Sequence, residues 1–289
     1  MLGETLALCA AMVWSLSIVL FKRSEAISPQ GMNLFKNLTA ISLLLLTMPL
    51  LGVGFLAERT PEDWLRLTIS GVLGIGIADT ATFMALRRLG PGLLAIVDCA
   101  YSPTVVLMAV VFLGEQVGPI FLLGAALVVL GVGWASADRI TRPPDFWTGL
   151  GLGVFGITAM AAGVTLAKPA LESGHLVELT LIRLVAGVVF QLLWILVDPR
   201  QRHALQALRP QPAWKTLLPA SFLGSYVSMM LWLGGFKYAD ASAAAVLNQM
   251  STIFIIFMAW LILGEAVTRR KLIGAGVAMA GAITIILLG

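Results

Sequence analysis

Four ionisable residues, Lys36, Asp79, Asp98 and Arg183, stand inside long apolar runs. A charge within a membrane span is costly, so by default it marks a pathway or a paired site. At 1.5 Å per helical residue, Asp98 falls ~9 Å and Lys36 ~6 Å from the start of its run, and Asp79 ~11 Å from the end of its run. All three are therefore nearer the membrane face that carries the loop between the third and fourth runs. A carboxylate–ammonium cluster fits there. It reads either as a static pair that neutralises buried charge, or as an aspartate used in proton coupling or cation recognition. Arg183 sits toward the opposite face. Its planar fork suits a substrate carboxylate or phosphate; the competing reading is snorkelling toward headgroups or capping a carbonyl.

Helical spacing adds neutral polar groups. Asp98 and Ser102 are four apart on one helix face, and Asn248 and Thr252 repeat the arrangement 150 residues later. Pro103 follows Ser102 and removes a backbone hydrogen bond. Freed carbonyls are tolerated in a membrane where they line a cavity. Trp14, Tyr101, Tyr226 and Trp232 are candidate cavity walls, although interfacial belts are the common place for such residues. Glu115 and Glu265 recur at matching helix ends, which points to capping or an interface. The Gly151-x-Gly153-x-x-Gly156 stretch matches a dinucleotide fingerprint only on paper. It lacks the strand–helix context, and close helix packing explains it. His175 and His203 are single loop histidines, so no metal site, no cofactor and no catalytic constellation is expected.

The elements that must position these groups follow from composition. Of 289 residues, 59% are apolar and 12% charged, about half the charge of a soluble domain; the mean hydropathy is +0.94. The charges are too few to coat a water-facing surface. Ten apolar runs, at about 2–20, 32–56, 67–86, 92–113, 119–136, 147–167, 176–197, 215–236, 241–263 and 271–288, are each long enough to cross the hydrocarbon layer. They lack the short alternating segments of a membrane β-barrel. The first run has no basic residues before it and Lys22-Arg23 after it, opposite to a cleaved leader. Cys9 and Cys99 lie within apolar runs and read as free buried thiols.

The chain also repeats itself. Residues 64–133 align with 214–283 without gaps, with about 15 of 70 positions identical. Trp64 meets Trp214, Gly74 meets Gly224, Leu113-Gly114-Glu115 meets Leu263-Gly264-Glu265, Gly124 meets Gly274 and Gly131 meets Gly281. Asp98 becomes Asn248 and Asp79 becomes Met229, so the acids are asymmetric. Five helices per unit is an odd number, which makes the two units cross in opposite senses. Inverted repeats are an architecture of secondary transporters, with the site at the repeat interface.

The duplicated Leu-Gly-Glu, each glutamate followed nine residues later by Gly124 or Gly274, together with Trp14-Ser15 and Arg183, resembles the drug/metabolite transporter superfamily, specifically its EamA type. The resemblance covers essentially the whole chain. It implies an all-α integral membrane protein of ten transmembrane helices in two inverted five-helix repeats, 1–138 and 147–289, joined by a linker at 139–146. It also implies a central cavity that moves small metabolites or drugs. Lys36, where the first unit often has arginine, and Asp79 and Asp98 depart from the family pattern.

The expected function is a secondary transporter that exchanges or exports a small polar molecule, amino acid-like, cationic or zwitterionic, by alternating access. It is either proton-coupled or an uncoupled facilitative carrier. From another class, a membrane-embedded structural or receptor protein without transport remains the rival. Expected partners are the small-molecule substrate, the lipid bilayer and, under coupling, protons. No nucleic acid is expected, and the oligomeric state is a monomer or weak homodimer. The expected location is a bacterial inner (plasma) membrane. Two arguments on orientation disagree. Thirteen basic residues flank the loops after the odd-numbered runs, against Arg59, Arg66, Lys168 and Lys237 on the other side. The positive-inside rule then places both termini outside, whereas the resemblance places them inside.

Overall fold

In a computed structural model, which describes residues 1–22, 27–54, 59–136, 143–263 and 268–288, every regular element is helical. The helices are α1 (Leu2–Lys22), α2 (Pro29–Leu50), α3 (Pro61–Gly71), α4 (Asp79–Asp98), α5 (Tyr101–Met108), α6 (Pro119–Ser136) and α7 (Phe146–Ser173). They continue as α8 (Leu176–Val197), α9 (Trp214–Ser221), α10 (Met229–Tyr238), α11 (Ala241–Asn248), α12 (Met250–Leu263) and α13 (Arg269–Leu288). Local chemistry sets several starts. Ser28 and Thr60 precede Pro29 and Pro61, and their hydroxyls accept the amides of Gly31 and Asp63. That is the expected pairing of an N-cap with a proline at the first helical position. Glu265 and part of the linker at 139–146 lie outside the described residues.

Among the described residues, nine stretches are long and apolar enough to span a membrane, from Leu2–Phe21 to Arg269–Leu288. The chain is a multi-pass integral membrane protein. The run expected at 67–86 is helical but is not one of those nine. It lies within an unbroken helical stretch, Pro61 to Asp98, that runs past Pro91. A Cβ on Gly153 would nonetheless lie within 4 Å of both Ala85 and Val97. Twelve residues of straight helix would separate those two by ~18 Å. The chain therefore changes direction between Ala85 and Val97.

Two distortions sit 150 residues apart, at the offset of the internal repeat. Wide π-helical turns occupy Val72–Ala78, between α3 and α4, and Phe222–Ser228, between α9 and α10. Such turns concentrate at functional positions. The helix is also broken at Cys99-Ala100 and at Gln249, again one repeat apart.

Packing relies on small residues rather than bulk, as expected where lipid is as apolar as the protein. Gly149, Gly153 and Gly156 of α7 face Leu89, Val97 and Thr82, so the glycine pattern at 149–156 is a packing seam. Gly124 and Gly131 of α6 meet Gly281 and Gly274 of the antiparallel α13, where a Cβ would strike backbone atoms. The main core cluster collects alanine and valine from α1, α5–α7, α11 and α13.

Candidate functional site in the membrane interior

The two broken helices meet. The Gln249 Nε2 donates to the backbone carbonyl of Asp98 at 2.8 Å, tying the break of one half to the break of the other. A break frees carbonyls that water cannot reach in a bilayer, so something polar must take them. Ser15 of α1 supplies a second tie, donating to the Ala11 carbonyl at 2.6 Å and the Ser251 carbonyl at 2.9 Å. The Asp98 side chain, just before the first break, is exposed. Ser102 is fully buried, and its hydroxyl has no hydrogen-bond partner. Asn248 and Thr252 are half-buried on either side of the second break.

Lys36 and Asp79 form an ion pair, Nζ to Oδ2 at 3.4 Å, with Lys36 buried and Asp79 partly accessible. The Lys36 ammonium also donates to Asn37 Oδ1 at 3.1 Å, and Asn37 donates to Asn33 at 3.2 Å. Asn33 in turn reaches Asp79. Asn33, Lys36 and Asn37 share one face of α2, because residues three and four apart on a helix are neighbours. Asp79 opens α4 directly after the first π-helical turn. Asp98 makes no ion pair with these two; its carbonyl is engaged elsewhere.

A small cavity of about 30 Å³ lies nearby, lined by Leu34, Phe190, Trp194 and Ile195 with the polar Gln30, Asn33, Thr80, Gln191 and Gln201; it includes Asn33, the neighbour of the pair, but neither Lys36 nor Asp79. Its size is room for about two to three waters at ~10–15 Å³ each. The carbonyl oxygens of Gln30 and Gln191 are buried without partners. An open vestibule of about 500 Å³ adjoins it, sharing Gln30, Thr80 and Gln201 and adding Arg88, Asp145, Asp198 and Arg200. The vestibule opens on the face of the basic loops.

On the opposite face polar contacts join the helix ends. Glu115 of the turn after α5 accepts the amides of Ala241 and Ser242 at 2.6 and 3.0 Å, capping α11. Gly114 makes that turn with a φ of 70°, a conformation suited to glycine. Lys168 pairs with Glu172 at 2.8 Å and donates to the Ala239 carbonyl at 2.8 Å. Lys237 caps the end of α7 through the carbonyls of Leu171, Glu172 and Gly174. Arg59 forks onto the buried Glu178.

Arg183 is 1% exposed. Its Nε donates to Ser70 Oγ at 2.8 Å, and Ser70 donates to the Gly163 carbonyl at 2.5 Å. The guanidinium lies 5.6 Å from the Trp232 ring centroid. Gly74 leaves room for it, since a Cβ there would sit 3.6 Å from Nη2 and from Met160 Sδ. Tyr101 is buried and lies close to both Arg183 and Trp232. Snorkelling does not describe this arginine, because a snorkelling head reaches water.

The other aromatics are dispersed. Trp14 packs on Gly224, and Tyr226 shares a 2.6 Å hydrogen bond with Thr47. The expected residues therefore separate into a Lys36–Asp79 pair, an Arg183–Tyr101–Trp232 group and the two breaks. Asn33, Asn37, Ser70, Gln191 and Gln249 also belong to these sites. Asn33 and Asn37 carried a readable signal in their spacing about Lys36; Ser70 and Gln191 carried none.

This bundle is a multi-pass membrane protein with repeat-related helix breaks and buried charges in its interior. The model of the EamA-like transporter family matches residues 1–137 and again 147–287. The chain belongs to that family, within the drug/metabolite transporter superfamily. A Synechocystis protein named "Uncharacterized transporter sll1164" is 25% identical over 254 residues, covering 86% of this chain and 72% of that one. Protein PecM of Dickeya dadantii is 24% identical over 218 residues, covering 74% and 71%. A solved crystal structure superposes with a TM-score of 0.81 at 16% identity, over 99% of this chain and 96% of that one. That likeness speaks to the fold alone.

Proposed function

We propose that this protein is a secondary transporter that moves a small polar molecule by alternating access, with Lys36–Asp79 as its proton-coupling pair. The observation that carries the transport reading is the meeting of two repeat-related helix breaks, joined by Gln249 and the Asp98 carbonyl. Discontinuous helices at a repeat interface are where carriers hold cargo. Coupling is supported by the place of Asp79 in the bundle. It is partly accessible, it holds a single ammonium at 3.4 Å, and its neighbours Asn33 and Thr80 line cavities on one side of the bundle. Protonating Asp79 breaks the ion pair and leaves the buried Lys36 ammonium on Asn37 without a counter-charge, which changes the cost of moving the two halves.

Reconstitution tests both parts. Purified protein in liposomes is expected to carry at least one of labelled phenylalanine, benzoate or tetraethylammonium above protein-free liposomes. An imposed pH gradient is expected to speed that flux. Asp79→Asn is expected to keep counterflow exchange within about threefold while the acceleration by the gradient disappears. Flux of no probe overturns transport. Flux whose gradient response survives Asp79→Asn overturns the coupling role and leaves an uncoupled carrier with a static ion pair.

A further inference from the structure

We infer that Arg183 and Tyr101 form the anchor for a carboxylate group of the transported molecule, so that the cargo is a small organic monoanion or zwitterion. The inference deepens the transport reading and rests on it for the word cargo, though not for the site. A buried cation needs a counter-charge, and removing one from a buried pair is among the costlier changes a protein tolerates. Among the described residues Arg183 has no carboxylate partner: the side-chain ion pairs join Lys36 with Asp79, Arg59 with Glu178, Arg66 with Glu62 and Lys168 with Glu172. Ser70 takes its Nε, and the Trp232 face takes part of the charge. Nη1 remains buried with no hydrogen-bond partner, and the buried Tyr101 hydroxyl, which interacts with Arg183 and takes the Trp232 N–H, has no acceptor for its own proton.

The chemistry of these vacant positions selects the ligand. A guanidinium N–H only donates, and a phenol donates readily. Two donors with one positive charge match the two acceptor oxygens of one carboxylate. A phosphate dianion would bring more charge and more acceptors than these groups satisfy. The Trp232 ring and Met160 sulfur add an apolar and polarisable wall, which suits a carbon skeleton next to the carboxylate.

The test measures binding, independent of flux. Full-length protein in detergent is titrated with labelled benzoate at fixed ionic strength and chloride, and competed with benzamide, benzylamine, acetate and phenylalanine. Benzoate is expected to bind saturably, displaced by the carboxylates and not by benzamide or benzylamine. Arg183→Gln removes a charge-assisted contact and is expected to weaken binding about 10- to 100-fold. Tyr101→Phe keeps the packed ring and deletes a hydroxyl whose proton has no acceptor in the free protein, so the fold is expected to hold, and it is expected to weaken binding about 3- to 10-fold. It carries the test if Arg183→Gln fails to fold. Equal competition by benzamide, full displacement by chloride, wild-type affinity in both variants, or silence from every carboxylate overturns the inference. Carboxylate binding without flux in liposomes would keep this site and overturn the transport reading. Flux of tetraethylammonium alone, unaltered by Arg183→Gln, would do the reverse.

Discussion

Asp240 stands between α10 and α11, where Glu115, Glu4 and Glu172 crowd it and Lys168 alone opposes them. Burial first, then those acids, raise its carboxyl above the usual carboxylate range. The sign follows from linkage. A folded-state acid with a raised value binds its proton more tightly than the unfolded chain, so stability falls as pH rises through that interval. At neutral pH the charge on Asp240 is therefore a net cost, and its side chain makes no capping bond in return. Asp240→Asn is expected to raise the melting temperature by ~1–2 °C at pH 7–8, with the gain vanishing below about pH 4. A melting series across pH decides it; a loss at pH 8 would show that the charge stabilises this face. The same scale shows what was legible in the sequence. Lys36 and Asp79 announced a pair by being charged within apolar runs at similar depth. Asp98 shared the depth and not the contact, because a helix break turns it to other space. Depth along a helix is readable from spacing; azimuth across a break is not.

Among the helices, two glycines of α13 separate packing from propensity. Gly274 faces α6 so closely that a Cβ would lie 2.5 Å from the Gly131 carbonyl and 2.7 Å from the Ala135 amide. Gly276, two residues on, has nothing within 4 Å. Alanine gains about 1 kcal/mol of helix propensity at either place. At Gly274 overpacking against backbone costs more, typically ~1–3 kcal/mol. Gly274→Ala is therefore expected to lower the melting temperature by ~2–6 °C, and Gly276→Ala to leave it unchanged or higher. Equal effects at the two sites would mean that α6 and α13 do not meet as described. The sequence exposed Gly124, Gly131, Gly274 and Gly281 as repeat-related, since identity at fixed offset survives without coordinates. It did not expose the π-helical turns at Val72–Ala78 and Phe222–Ser228. A one-residue widening leaves apolar composition unaltered, and inside a fully apolar run no polar face exists whose phase would slip.

Across the whole molecule, the two membrane faces differ in what their basic residues do. On the face of the termini, Arg59, Arg66, Lys168 and Lys237 are each held by a carboxylate or by helix-end carbonyls. On the other face, Arg88 and Arg200 line an open vestibule, and Arg270 lies over Trp134 at 4.9 Å. Arg88 and Arg270 also donate to backbone carbonyls, of Met84 and Trp134, so the asymmetry between the faces rests on the count of thirteen against four in the sequence. The positive-inside rule counts charge that resists translocation, and on that count the vestibule faces the cytoplasm with both termini outside. Gln201 lines the vestibule and Gln116 is exposed in the turn after α5. In a background with Cys9 and Cys99 replaced by serine, Gln116→Cys is expected to react with a membrane-impermeant maleimide added to intact cells. Gln201→Cys is expected to react only in inverted vesicles. The opposite pattern would place the termini inside and would make the vestibule an opening to the exterior. Thr80, the residue after Asp79, lines the vestibule, so the same labelling tests which compartment's pH the proposed coupling pair senses. With the vestibule cytoplasmic, acidifying the inside of right-side-out vesicles is expected to alter flux in wild-type protein and not in Asp79→Asn. Acidifying the outside alone is expected to leave the flux unchanged.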